Sequence, residues 1–235
     1  MLLTILLSLI LSPGEGALDA ALRATEAPKT LRAAFTVTLS SEDATRIFAY
    51  DPRWPRGDRW RLTTAEGDDS LLDEVAAAWG ADPAPDGRLF PDDLRASLPK
   101  RVEGRDLGAA WRITFQHRPS ANDGELDRWA IGQLDATAWL DPERARFLRI
   151  DHALRAPTPG PNGGTLSAYR QTHFLETEPK WGLTYIARME IELEARAAWR
   201  TIARRYTMQV TEVEVFFANA AAEQAFLSAR PGTEF

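Results

Sequence analysis

The chain has 235 residues, 44% of them hydrophobic and 26% charged, which allows one large β domain or two small ones. Its formal net charge of -6 supplies no electrostatic attraction to nucleic acid or to an anionic membrane surface. With no cysteine, it can form neither a disulfide, a thiolate metal site, a cysteine nucleophile nor a lipid-modified N-terminal cysteine.

Leu2 to Leu11 is an apolar run broken only by Thr4 and Ser8, and Ser12-Pro13-Gly14 follow it. Ten residues suit the hydrophobic stretch of an export signal and fall short of the ~20 needed to span a bilayer. Residues 1–16 are therefore expected to be a signal peptide, cut before Ala17, and the protein to be periplasmic. Residues 17–235 are expected to form a single β domain. Leu18, Ala21, Leu22 and Thr25 have the spacing of a short amphipathic helix ending near Pro28. Phe35, Val37 and Leu39 alternate with Thr36, Thr38 and Ser40, the pattern of a first strand, and a second covers Ala44 to Tyr50. The breaker Asp51-Pro52-Arg53-Trp54-Pro55-Arg56-Gly57 leads to a third strand through Trp60, Leu62 and Thr64. Asp68 or Asp69 can cap a helix carrying Leu71, Leu72, Val75 and Trp79.

Residues 80 to 99 are rich in Pro, Asp and Gly and read as an insertion anchored by Leu89, Phe90 and Leu94, with one short helix near Asp93 to Leu98. Strand signals resume at Trp111, Ile113 and Phe115. A long strand is expected from about Leu126 to Leu140 and another from Ala145 to Leu154, joined by the turn Asp141-Pro142-Glu143-Arg144. After the Pro/Gly-rich loop 157–164, strands are expected at Leu166 to Glu176, Trp181 to Ala195 and Arg200 to Phe217. In the second of these, Leu183, Tyr185, Ala187, Met189, Ile191 and Leu193 alternate with polar residues, Ile186 being the exception. In the third, apolar parity shifts from Tyr206, Met208 and Val210 to Val213, Val215 and Phe217, which predicts a β-bulge near Thr211. Asn219 caps a terminal helix carrying Phe226 and Leu227.

The order of helix, two strands, Pro-broken turn, strand, helix, insertion and long meander resembles that of the LolA-type periplasmic lipoprotein carriers. The likeness is carried by Leu18 to Leu22, Ala34-Phe35-Thr36, Pro52, Trp60-Arg61-Leu62 and Trp139-Leu140-Asp141-Pro142-Glu143. The resemblance implies a strongly curved, incompletely closed antiparallel β-barrel with short lid helices over an apolar concavity that holds acyl chains. The carriers place an arginine before the proline after the second strand, where it helps hold the lid. Here Asp51 stands at that position, with Arg53 beyond the proline.

Parity groups Phe35, Val37, Phe48, Tyr50, Trp60, Leu62, Trp111, Ile113 and Ile131 as candidate lining of the apolar cavity. The eight tryptophans (Trp54, Trp60, Trp79, Trp111, Trp129, Trp139, Trp181 and Trp199) suit core packing or a lipid cavity, and Trp54 in its Pro-rich turn could touch a membrane or a partner. His117, His152 and His173 sit in or near strands, so a three-histidine metal site is geometrically conceivable, but their spacing gives it no support. The carboxylates Glu66, Asp68, Asp69 and Asp92, Asp93 stand at expected helix starts, where capping accounts for them. Neither a nucleophile elbow nor a phosphate-binding glycine loop occurs. The expected function is to bind a lipid or acylated protein without chemistry and without a cofactor or metal. The alternative is an envelope interaction or sensor module with a filled barrel, presenting loops 51–57 and 157–164 to a partner.

Overall fold

Eleven strands, every pair antiparallel, form one sheet in the computed structural model, which describes residues 13–81, 85–91, 94–98, 104–118, 125–160, 163–197 and 200–229. The strands are β1 (Leu31–Ser40), β2 (Thr45–Tyr50), β3 (Trp60–Glu66), β4 (Gly104–Asp106), β5 (Trp111–Phe115), β6 (Leu134–Asp141), β7 (Arg146–Leu154), β8 (Thr158–Pro159), β9 (Thr165–Glu178), β10 (Leu183–Ala197) and β11 (Arg200–Phe217). Their spatial order is β3-β2-β1-β11-β10-β9-β7-β6-β5-β4, with the short β8 paired to β9. Among the described residues no hydrogen bonds join β3 to β4, so the sheet stays open there. It nevertheless curls: side chains from β2 near one edge and from β5 near the other enter the same hydrophobic core. The fold is thus the curved, incompletely closed antiparallel barrel with short helices that the alternation and the resemblance imply.

Five helices accompany the sheet among the described residues: α1 (Pro13–Thr25), α2 (Ser70–Gly80), α3 (Leu94–Ser97), α4 (Glu125–Ile131) and α5 (Ala220–Ala229), with a 3₁₀ turn at Pro85–Leu89. Asp69 is the N-cap of α2, its carboxylate accepting from the Leu71 and Leu72 backbone N–H groups, which satisfies two otherwise orphaned donors. Asn219 does the same for α5 through the Ala222 N–H. Asp141 closes the β6–β7 turn by accepting from the N–H groups of Glu143 and Arg144. Those bonds, that to Arg144 foremost, hold its carboxyl below the usual range.

The bulge near Thr211 is present. Ala34 pairs with Glu214 and Thr36 with Thr211, so two residues of β11 oppose one of β1, and Glu212 within the bulge has φ 54°. A second irregularity explains the Ile186 exception. The β9–β10 register shifts between Ile186 and Arg188, so Ile186 shares the inner face with Leu175, and Met189, Ile191 and Leu193 regain it beyond the shift. Leu183 to Leu193 is therefore not one uninterrupted apolar face.

Two expectations need correction. Leu126 to about Ile131 is helix α4, and β6 begins only at Leu134. Seven residues without a β-branched run, ended by Gly132, suffice for two helical turns and leave no room for the long strand. The first helix begins at Pro13, earlier than expected, and runs through the Gly16–Ala17 position of the expected cut. The apolar run of the expected export signal, residues 2–11, lies outside the described residues, as do Trp199, Asp92 and Asp93. No helix among the described residues is long and apolar enough to cross a membrane.

Candidate functional site

Cross-strand register fixes which side chains share the inner face of the curl. Phe48 and Tyr50 of β2 pair with Val37 and Phe35 of β1, and Val37 pairs in turn with Val210 of β11. Across the sheet Ile113 pairs with Ala138, which pairs with Ile150. Phe35, Val37, Phe48, Tyr50 and Ile113 are all buried in the core, and Trp60 and Trp111 pack against it, half-buried. The structure therefore brings seven of the nine candidate lining residues to one apolar face. Trp60 is the hub of its aromatic part, stacked on Phe48 at 5.0 Å and on Trp79 of α2 at 5.8 Å, with Phe35 and Tyr50 at 6.2 and 6.1 Å. A Cβ at Gly80, the last residue of α2, would lie 3.0 Å from Trp60 Cδ1, so glycine permits this approach.

The remaining two candidates are displaced. Leu62 pairs with Phe48 but is 54% exposed, on β3 at the edge of the sheet. Parity assigns a face, not depth from an edge. Ile131 is half-buried at the end of α4 and is not part of the core, since its segment is helix and not strand.

The apolar face is covered. Ala21 and Leu22 of α1, Leu72 and Trp79 of α2, Leu89 and Phe90 at the 3₁₀ turn, and Leu94 and Leu98 at α3 are all buried in the same core. Leu89, Phe90 and Leu94 anchor the insertion as its sequence indicates. Polar clasps fix this cover. Arg95 of α3 pairs with both Asp19 and Glu26 on the α1 side. Asp86 in the 3₁₀ turn accepts from the Ala33 N–H of β1 at 3.3 Å, and burial raises its carboxyl above the usual range. Ser97 of α3 accepts from the Arg118 N–H at 3.2 Å and lies 3.5 Å from Nδ1 of His117. By contrast, α2 is tied to β2 by the buried Arg46 guanidinium, which donates to Asp73 and to the carbonyls of Thr45, Glu66 and Gly67.

Arg53 takes no part in the cover. Its guanidinium bridges Asp51 at 2.8 Å and Glu214 of β11 at 2.6 Å, above the Phe216 ring. The bond from Arg53 holds the Asp51 carboxyl below its ordinary range. Trp54 is half-buried beneath the Arg61 guanidinium, 4.0 Å from its ring centroid.

One polar island interrupts the inner face. His152 of β7 pairs with Gln171 of β9, and His173 pairs with Ile150 on one side and Met189 on the other. The rings of His117 and His152 meet edge to face with centroids 5.3 Å apart, and those of His152 and His173 at 5.7 Å. Tyr169 donates its hydroxyl to Gln171 Oε1 at 3.0 Å, and the Gln171 amide donates to the thioether of Met189. All three histidines of the chain thus converge, although no local spacing announces it. Among the described residues no group of three or more His, Asp or Glu side chains is arranged to hold a metal ion. The outer face carries the opposite chemistry. Trp139 donates to Asp151, Arg149 pairs with Asp151 and lies over the Trp139 ring, and Thr172 donates to Asp151. Arg149, Asp151 and Thr172 border an open concavity of about 470 Å³, together with Ala153, Arg170, Phe174, Glu190 and Glu192.

No family model matches this chain, and neither a curated protein nor a solved structure matches it.

Proposed function

We propose that the protein binds the acyl chain of a lipid or of an acylated protein against the inner face of its sheet, without chemistry, in the manner of the LolA-type carriers. The observation that carries this reading is an apolar face that extends from β2 to β5, interrupted only by the polar island at β7 and β9, and that is covered by short helical segments instead of a second sheet. Such a cover can lift while the sheet keeps its hydrogen bonds. An acyl chain then replaces the cover's contacts, each methylene contributing about 0.8 kcal/mol. A chain of a dozen carbons gains up to about 9 kcal/mol on that scale. The exposed clasp between Arg95, Asp19 and Glu26 opposes this by no more than about 1 kcal/mol per ion pair.

Export through residues 1–16 would place this activity in the periplasm, and loops 51–57 and 157–164 are the surfaces offered to an envelope partner. A second reading, an interaction module with a permanently filled barrel, is favoured by the burial of the cover's side chains in the core and by the charged concavity on the outer face. Organic extraction of the purified protein, followed by mass spectrometry, decides between them. The carrier reading requires a stoichiometric acyl compound, or recovery of one after incubation of delipidated protein with a membrane extract. Its absence under both conditions favours the filled barrel.

A further inference from the structure

The outer face of the sheet carries an ordered array of its own. Register sets Trp139, Arg149, Phe174 and Arg188 side by side across β6, β7, β9 and β10. Two residues further along the strands, Asp151, Thr172 and Glu190 form the next row, and Ala153, Arg170, Glu192 and Arg205 the one after it. In the first row each ring lies under a guanidinium, Arg149 at 4.7 Å from the Trp139 centroid and Arg188 at 4.1 Å from that of Phe174. Every carboxylate of the array has its own arginine: Asp151 has Arg149 at 3.0 Å, Glu190 has Arg188 at 3.3 Å and Glu192 has Arg205 at 2.7 Å. Four guanidinium groups thus stand against three carboxylates, and the surplus cation is Arg170. Glu192 is its direct cross-strand neighbour, yet Arg170 has neither an ion pair nor a side-chain hydrogen bond among the described residues. It is exposed, and it lines both the concavity of about 470 Å³ and an adjoining one of about 660 Å³.

These groups set two demands on a ligand. An anionic group answers Arg170, whose planar guanidinium meets a carboxylate or phosphate through two parallel N–H bonds. A bare anion, however, is repelled by Glu190 and Glu192 on the same concave surface. An ionised carboxylate has about four acceptor positions and one arginine does not fill them, so both glutamates can still accept from hydroxyl groups. Thr172 donates its hydroxyl to Asp151 and keeps its own acceptor capacity. A polyol with one negative charge meets both demands. The volume of about 470 Å³ lies within the roughly 300–1,000 Å³ of small-molecule sites, and Phe174 adds apolar surface for the C–H side of a ring.

We propose that the outer concavity is a binding site for a sugar that carries a single carboxylate or phosphate group. Arg170 holds the anion, and Glu190 and Glu192 accept from the ring hydroxyls. The site lies on the face opposite the apolar core, so it stands whether or not an acyl chain binds there.

The test follows the arginine ¹H–¹⁵Nε resonances of the full chain, with that of Arg170 identified by its loss in Arg170→Gln. Glucuronate, glucose 6-phosphate, glucose, acetate and inorganic phosphate are titrated separately. The expected result is a saturable shift of the Arg170 resonance by an acidic sugar at about tenfold lower concentration than by glucose, acetate or phosphate. Either acidic sugar bears out the proposal, and the tighter of the two identifies the anion. Isothermal titration calorimetry of Arg170→Gln should show the acidic sugar reduced to the affinity of glucose; this exposed side chain holds no partner, so the variant should melt with the unaltered protein. Small anions as potent as the acidic sugars, glucose as potent as either, a silent Arg170 resonance, or an acidic-sugar preference that survives in Arg170→Gln would each overturn it.

Discussion

The aromatic hub at Trp60 gives the sharpest test of how the face is built, because Leu62, two residues away on the same strand, serves as its control. Trp60 touches Phe35, Phe48, Tyr50 and Trp79, so it joins β1, β2 and α2 through one side chain. A buried aromatic removes ~150–250 Å² from water, worth about 4–6 kcal/mol at ~25 cal/mol per Å². Trp60 is half-buried on the edge strand, and its Nε1 has no hydrogen-bond partner to lose, so the cost of Trp60→Ala falls to about 3–4 kcal/mol. For a chain of this length that lowers the melting temperature by roughly 6–16 °C. Trp60→Phe keeps a ring between Phe48 and Trp79 and should lose under about 1.5 kcal/mol. Leu62→Ala, at 54% exposure, should stay within about 0.5 kcal/mol of the unaltered protein. Urea titration followed by far-UV circular dichroism reads all three. A loss below about 1 kcal/mol for Trp60→Ala, or one above about 2 kcal/mol for Leu62→Ala, would refute the inner-face assignment of β3.

Other perturbations separate the parts of the cover. Arg46→Ala strands the carbonyls of Glu66 and Gly67 and should cost about 3–5 kcal/mol in denaturant titration, whereas Asp73→Ala, on the exposed side of the same pair, should cost under about 1 kcal/mol. Asp86 has its carboxyl raised by burial, so its protonated form favours the folded state and that stability is lost as pH rises through the folded pKa. Asp86→Asn retains an acceptor for the Ala33 N–H and should melt higher than the unaltered protein at pH 7, the gap closing toward pH 3. Asp51 has its carboxyl lowered by Arg53, so its contribution is present above its unfolded pKa and lost as pH falls. Asp51→Asn should therefore destabilise at pH 7 and converge with the unaltered protein in acid. Arg95→Ala opens the clasp between α3 and α1 and should speed uptake of N-phenyl-1-naphthylamine in stopped-flow fluorescence while shifting the melting temperature by only a few degrees.

The parts of the fold that were legible in the sequence are those that local chemistry decides. Asp69 as a cap, the Asp141-Pro142 turn and the parity shift near Thr211 each depend on neighbours within a few residues, and each is present as expected. Glu125–Ile131 escaped because its seven residues, ELDRWAI, show neither a clear period-two nor a clear helical pattern, and so short a segment is decided by its packing. The change of face at Ala187 was written in Ile186, yet an apolar exception and a bulge look alike until the pairing with β9 is known. Leu62 was assigned to the correct strand but not to its edge, because strand order is not a local property. The histidine island was the least accessible. Its members come from three separate segments, and only the register of β7 against β9, with Ser97 of α3 above, gathers them.

The central claim is that an acyl chain can take the place of the helical cover on the inner face of the curl. Intermolecular nuclear Overhauser effects between dodecanoate and the ¹³C-labelled methyl groups of the protein test it most directly. Cross-peaks from the chain to Val37, Ile113 and Ile150, with faster amide exchange in α3, are the result predicted. Cross-peaks confined to the outer face, or an inner face silent at saturating dodecanoate, would contradict it.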